Sequence, residues 1–571
     1  MENLVKKGHP TGLWYLFATE MWERFGYYLM LGIFSLYMLD GWNNGGMGFD
    51  AIKKSDIYGT YLGLVYLTPF IGGLLADRIL GYRRAIVLGG LSMSAGYFLL
   101  SVHDVTSFYL GLLFIILGNG FFKPNISTLV GNLYSGDDMK DKKDAGYNIF
   151  YMGINIGAFV CNFVAAYMRI NYGWGYAFAA AGVGMLVGVA IFLLGTKHIK
   201  HVDVVKPLQA GDMSTLRIFS MTVLPMFVFG ILGYLIPGNL LGTDTNDAFI
   251  FGCIPVIAFF IYLAFKSEAK ESRAIKALLA AFMCIILFFA IFHQNGDALT
   301  VWAEDHTNRE MSESVASVAD KVGMAQVVVN NEIVSAPQAE FDATLAEMRA
   351  NEAAMPAVSR EEIKAKGDYS SSIGQLEKSR KYFTTLPADQ IPAQGENLKL
   401  YSTELYQSIN PFWVVVLTPV VVGIFGFMRS RKREPSTPSK IAIGLVITAL
   451  SALVMVGAVF ATNDLTSKAG SMWLIASYGV ITVGELCLSP MGLSLVSKLS
   501  PPRITALMMG GFFLAISVGN KLSGMLSGLW ETIEQKENFF LLNFALVMVA
   551  AIALILMLKW MNSVMRENNV K

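Results

Sequence analysis

Charge is what this chain has least of. Only 15% of its 571 residues are Asp, Glu, Lys or Arg, against 54% hydrophobic residues, and mean hydropathy is +0.49. Soluble domains carry about 25% charged residues, so an ordinary soluble enzyme or binding module is excluded and the chain reads as a polytopic membrane protein. With 44 basic and 43 acidic side chains the net charge is +1. No dense basic face is present, which excludes nucleic acid as a partner. Cysteine is scarce: Cys161, Cys253, Cys284 and Cys487 lie in apolar runs, with neither metal-ligand spacing nor a disulfide framework. They read as small core residues. A nucleotide-binding P-loop, a metal cluster and a catalytic constellation are likewise missing, so neither a cofactor nor an enzyme activity is expected. Lys6 and Lys7 precede an apolar run of full spanning length without a small-residue cleavage site, which makes that run a retained span rather than a signal peptide.

What is present is a series of apolar runs long enough to cross a bilayer. They predict about fourteen spans, near 13–39, 55–77, 84–101, 107–131, 146–168, 174–196, 215–237, 248–266, 275–302, 410–428, 440–461, 470–497, 504–530 and 538–562. Arg78, Arg83, Arg84, Lys197, Lys200, the lysines from Lys266 to Lys276, and Arg429, Arg431, Lys432 and Arg433 all fall in loops on one side. By the positive-inside rule that side is cytoplasmic, and an even number of spans puts both termini there. Lys53 and Lys54 run against the rule, since they fall on the outer side. Residues 303–409 contain no span and carry seventeen acidic against ten basic side chains, which makes them an inserted water-soluble segment on the outer side. Within it, 326–335 reads as a hairpin turning at Asn330 and Asn331, and 337–354 as a helix. The insertion shows no ligand constellation and is expected to act as a spacer or cap. The expected organisation is 1–200, a six-helix bundle; 201–270, a two-helix linker; 271–302, the first helix of a second bundle; 303–409, the insertion; and 410–571, the rest of that bundle.

Ionisable groups inside the spans carry the functional signal. In ATEMWERFGYYLML, residues 18–31, helical spacing puts Glu20, Glu23, Arg24 and Tyr27 on one stripe, with Tyr28 beside it. A charge at the bilayer centre costs about 3 kcal/mol on insertion scales, so these groups face protein or a wet cavity. A pair that merely ties two helices together is the bland alternative; a carboxylate beside an arginine is also what a protonation switch requires. Lys123 in GNGFFKPNIS and Glu485 in ITVGELCLSP lie in mid-span, each between glycine and proline. Kinked helices at membrane depth are tolerated where they line a cavity. A basic group from one half and an acidic group from the other would suit a zwitterion, or else pair with each other.

These motifs resemble the proton-coupled oligopeptide transporters of the major facilitator superfamily. Glu20, Glu23 and Arg24 match the family's ExxER signature. IGGLLADRILGYRR, with Gly72, Gly73, Ala76, Asp77, Arg78 and Gly81, matches the superfamily's loop motif, and residues 118–132 and 150–159 match the family's central signatures. The resemblance covers roughly 11–302 and 404–562. It implies an all-α major facilitator fold of two six-helix bundles, with the helices between them resembling the extra pair of prokaryotic members. It further implies import of di- or tripeptides with protons across the cytoplasmic (inner) membrane, by a monomer in the lipid bilayer.

The implied roles follow residue by residue. Glu20, Glu23, Arg24 and Lys123 would couple protons. Lys123 and Tyr151, with Arg24, would meet the peptide carboxylate, and Glu485 the amino group, with Ser489 one turn on. Asn155 and Asn410 would bind the peptide backbone. Tyr27, Tyr28 and Tyr66 would line the pocket, with Phe289 where many members have tryptophan. Three positions depart from the pattern: Leu31 replaces an arginine, His293 replaces an acid, and Phe512 stands where tryptophan is common. Leu31 and His293 occupy the positions of an outward gate pair in many relatives, and both charges are gone. A transporter of nitrate, another small anion or a peptide-like compound remains an alternative, as does a non-transporting receptor that uses the insertion.

Overall fold

The computed structural model describes residues 8–135, 139, 142–203, 217, 219–356, 359–501 and 504–568. Lys6 and Lys7 lie outside these, as do the side chains of Asp77 and Arg78. Six long helices come first: α1 (Thr11–Leu39), α2 (Ala51–Leu75), α3 (Tyr82–Leu100), α4 (Val105–Leu133), α5 (Lys143–Tyr172) and α6 (Trp174–Ile199). Two of their starts are written in the sequence, since Asp50 accepts from Lys53 N at the head of α2 and Asp104 from Ser107 N at the head of α4. They close around one apolar core running from Leu13 to Ile199. A Cβ on Gly72 would lie 2.0 Å from the Gly120 carbonyl, so α2 meets α4 where only glycine fits.

Next come α7 (Leu224–Tyr234) and α8 (Asp244–Lys266), which pack on each other. The expected span at 275–302 is not one helix. α9 (Ala269–Phe292) stops at a 3-10 turn, His293–Gly296, and α10 (Ala298–Asp305) resumes after Asp297. Four consecutive non-apolar residues, HQNG, interrupt the run. After the insertion come α15 (Ile409–Ser430), α16 (Thr437–Ala461), α17 (Ser471–Leu499), α18 (Thr505–Thr532) and α19 (Lys536–Glu567); the last four share a second core with α8 and α9, while Ile409 and Trp413 of α15 pack on a smaller cluster around Trp302. Helix occupies most of the described part of each stretch expected to span, although 235–237 have already left it. Among the described residues, ten helical segments are long and apolar enough to cross a membrane. All four cysteines are free and buried.

The segment between α10 and α15 has a small core of its own, including Val328, Phe341, Leu376 and Leu400. It is built from α11 (Glu313–Lys321), α12 (Glu332–Ser335), α13 (Gln338–Ala354) and α14 (Arg360–Thr384), with strands β1 (Thr307–Asn308), β2 (Gln326–Val329) and β3 (Asn397–Leu400). The expected hairpin at Asn330 and Asn331 does not form. β2 pairs antiparallel with β3, because the Asn331 side chain caps α12 through Val334 N instead of turning the chain. β1 pairs with β4 (Ala469–Gly470), which joins the segment to the loop before α17. Lys468 of that loop is pushed down to about 8 by burial and by Arg309.

The segment also reaches the first six helices. Lys378 binds Asp40, Arg349 donates to Asn44, and Asn171 donates to the Gly323 carbonyl. At the opposite end, the basic loops are tied by acids. Asp203 accepts from Tyr82 N, and hydrogen bonds from Arg429 and Lys440 hold the Glu434 carboxyl down at about 2.

Candidate substrate site

On α1, Glu20, Glu23 and Arg24 are all buried. Arg24 grips Glu23 in a two-point pair, with Nη2 donating to Oε1 at 2.6 Å and Nε to Oε2. Its Nε also lies 3.3 Å from Glu20 Oε1. Glu20 Oε2 has no partner. The acids therefore differ: Glu23 is saturated by the fork of the guanidinium, whereas Glu20 keeps a free oxygen. Arg24 also lies 4.9 Å from the centroid of the Tyr27 ring, which meets Tyr28 edge to face.

Lys123 extends from α4, one residue before Pro124, and places its ammonium 4.0 Å from the centroid of the Tyr66 ring on α2. That face is a weak partner compared with a carboxylate. Lys123 is near enough to act electrostatically on Glu20 and on His293. Tyr151 on α5 is half exposed, and Asn155 one turn on donates back to its carbonyl at 3.0 Å.

From the other half, Asn410 at the start of α15 donates to Thr482 Oγ1 at 2.9 Å and to Glu485 Oε2 at 3.2 Å, both on α17. Sequence reasoning passed over Thr482, which shows only as a hydroxyl one turn before Glu485. No ion pair joins Lys123 to Glu485 among the described contacts, so they are not each other's partners. Glu485 is instead close enough to act on the phenols of Tyr28, Tyr66 and Tyr151. Helices of both halves thus converge on one volume, with the Lys123 ammonium and Tyr66 on one wall and the Glu485 carboxylate and Asn410 on the other. Ser489 lies one turn along α17 and is partly buried. The apolar crevice lined by Leu67, Phe70, Met226 and Phe260 is a separate feature and contains none of these residues.

Phe289 is buried on α9 and stacks on His293, with ring centroids 5.6 Å apart, and His293 meets Tyr66 edge on at 5.8 Å. His293 Nδ1 has no partner. Leu31 packs into the core of the first six helices, so no polar bond joins the two gate positions. Phe512 is buried against Phe282.

A family model described as the POT family matches residues 83–319 and 393–543. The chain is 28% identical to a di-/tripeptide transporter of Lactococcus lactis subsp. lactis over 97% of each chain. It is equally similar to an uncharacterized transporter of Bacillus subtilis, over 96% of this chain and 94% of that one. A crystal structure of a POT peptide transporter in complex with alafosfalin superposes with a TM-score of 0.72 at 26% identity, covering 99% of this chain and 97% of that one.

Proposed function

The chain belongs to the POT family, an integral membrane transporter family of major facilitator fold, and from that premise we propose that it imports di- and tripeptides with protons by alternating access. The observation that carries the reading is the separation of unlike charge inside the bundle. The Lys123 ammonium rests on a ring face and the Glu485 carboxylate on an amide, so each lacks the full counter-charge that a buried ion needs. A short zwitterionic peptide supplies both at once. Its carboxylate meets Lys123 with Arg24 and Tyr151, its ammonium meets Glu485 with Ser489 nearby, and Asn155 and Asn410 take its backbone. Tyr27, Tyr28, Tyr66 and Phe289 surround side chains without selecting one chemistry.

Proton coupling belongs to Glu20, Glu23, Arg24 and Lys123. A proton arriving on either acid weakens its hold on Arg24 and frees the guanidinium for the peptide carboxylate. In this reading the end bearing Arg83, Lys197 and Arg429 faces the cytoplasm, as the positive-inside rule favours, residues 303–409 lie outside, and the chain works as a monomer in the inner membrane. Segment 1–200 moves as one bundle and 271–302 with 410–571 as the other, joined by the linker at 201–270.

Purified protein in liposomes should accumulate dialanine when the outside is acid and the inside negative. Uptake unaffected by the proton gradient would remove the coupling claim. Uptake competed by nitrate and not by dialanine would transfer the site to a small anion.

A further inference from the structure

The two positions that carry an outward charge pair in many relatives hold a leucine and a histidine here, with no ion pair between them. One turn nearer the insertion, however, two buried charges meet. Lys54, in the first turn of α2, places Nζ 2.5 Å from Asp297 Oδ1, with side chains 3% and 0% exposed. We propose that Lys54 and Asp297 form the latch that holds the outer mouth of the transport path shut. The proposal rests on the alternating-access reading above.

Three features make the pair a latch rather than an ordinary helix tie. First, it joins the two halves: Lys54 is buried on α2, one of the first six helices, whereas Asp297 follows α9. On the same seam the Ser35 hydroxyl of α1 lies 2.8 Å from the Gly296 carbonyl and 3.1 Å from Asp297 Oδ1, and donates to one at a time. Tyr58 of α2 donates to the His293 carbonyl at 3.2 Å.

Second, Asp297 stands on a break, between the 3-10 turn His293–Gly296 and α10. A residue that ends one element and starts the next can be carried away by a small backbone rotation, whereas one in mid-helix cannot. Tyr58 packs so closely that a Cβ on Gly296 would fall 2.1 Å from its hydroxyl.

Third, the pair is incompletely bonded. Asp297 Oδ2 has no partner. By contrast, the Arg169–Glu404 pair, which ties α5 to the end of the inserted segment, is doubly bonded at 2.5 and 2.8 Å and reinforced by Ser402. An ion pair with one contact is the easier to part and remake in every cycle. It also lies within reach of the site, since His293, one turn before Asp297, meets Tyr66, and Tyr66 carries Lys123. Lys54, the lysine that breaks the positive-inside pattern, is thereby accounted for by its partner.

The test places spin labels at Val102→Cys and Met472→Cys, exposed positions on opposite halves at the insertion end, in the full chain in lipid nanodiscs. The native cysteines are buried and will not compete for label. The parent should show one dominant short separation. Asp297→Asn and Lys54→Met should each raise the ratio of long to short separations at least tenfold. The charge-reversed double variant, Lys54→Asp with Asp297→Lys, should return it toward the parent. Ser35→Ala removes one hydrogen bond without stranding a charge and should move the ratio partway, which keeps the test available if a single charge variant does not fold. Unchanged separations in Asp297→Asn or Ser35→Ala, or a double variant as open as the singles, would overturn the latch. The distances need no substrate, so dialanine uptake by the parent, measured alongside, reports separately on the transport reading.

Discussion

Replacing Glu485 with glutamine removes one negative charge and almost no volume, and the new amide can still accept from Asn410, which now reaches Glu485 Oε2 at 3.2 Å. What is lost is the charge-assisted bond to the substrate ammonium. A hydrogen bond to a charged group contributes about 1.5–3 kcal/mol, which at about 1.4 kcal/mol per tenfold is roughly a 10- to 150-fold loss of affinity for dialanine. N-acetyl-dialanine has no ammonium and should lose less than about threefold, on the order of 0.5 kcal/mol. Glu485→Ala strands the ammonium altogether and should cost about 2–5 kcal/mol. The assay is counterflow exchange of labelled dialanine in liposomes with each peptide as competitor, because exchange needs no net proton movement and so isolates binding. Equal losses for both competitors would assign Glu485 to packing or gating instead. An unchanged affinity for dialanine would refute the placement of the amine end.

On the opposite wall, Lys123→Ala should abolish gradient-driven dialanine uptake even at saturating peptide, and restoration by raising peptide alone would reduce Lys123 to a binding group. Glu23→Gln should lose acid-stimulated uptake and keep counterflow, because a glutamine holds Arg24 without a titrating oxygen; His293→Gln should keep both, and loss of uptake with retained counterflow in His293→Gln would make the histidine the proton carrier. Deleting most of 306–402 and joining the ends with a flexible linker should leave dialanine exchange largely intact, at the cost of a lower melting temperature from lost contacts such as Lys378–Asp40; a well-inserted deletion variant that binds no peptide would show that the segment does more than cap the bundle.

Much of this architecture is legible without coordinates because a bilayer leaves a chain few options. An apolar run of spanning length must satisfy its own backbone bonds and is therefore helical, and among the described residues ten such helical segments are long and apolar enough to cross a membrane. Helix breaks are harder to read. HQNG interrupts the apolar run for only four residues, too few to register in an average over a span, yet it divides α9 from α10 and sets Asp297 at the division. The mistaken hairpin at Asn330 and Asn331 has a different origin: asparagine favours both turns and helix caps, and the side chain chose the cap. In the site, ExxER, Lys123 and Glu485 stand out because charge is so rare in these spans. Thr482 does not, because a hydroxyl in an apolar helix usually bonds its own backbone, as Thr482 also does to the Tyr478 carbonyl. The partnership of Lys54 with Asp297 could not be read either, being separated by 243 residues, though the misplaced lysine marked one end of it.

Buried charges near the insertion and those deeper in the bundle are satisfied in different ways. Toward the insertion they are neutralised in place: Lys54 by Asp297, Arg169 by Glu404, and Lys521 by Asp56 at 2.6 Å, with each pair linking different elements. Breaking such a pair by removing one partner strands a charge at a cost of about 3–5 kcal/mol, so Arg169–Glu404 and Lys521–Asp56 tie elements together at that end, whereas the singly bonded Lys54–Asp297 pair is the one that parts and remakes as the latch. Deeper in the bundle the accounts do not balance internally. Glu20 keeps an oxygen without a partner, Lys123 has a ring face, and Glu485 has an amide. A chain selected only for a stable bundle would replace these with apolar side chains of similar volume, which is often neutral or stabilising. Their persistence in under-satisfied surroundings is explained if the missing partners arrive from outside: a proton for the carboxylates, and the two ends of a peptide for Lys123 and Glu485.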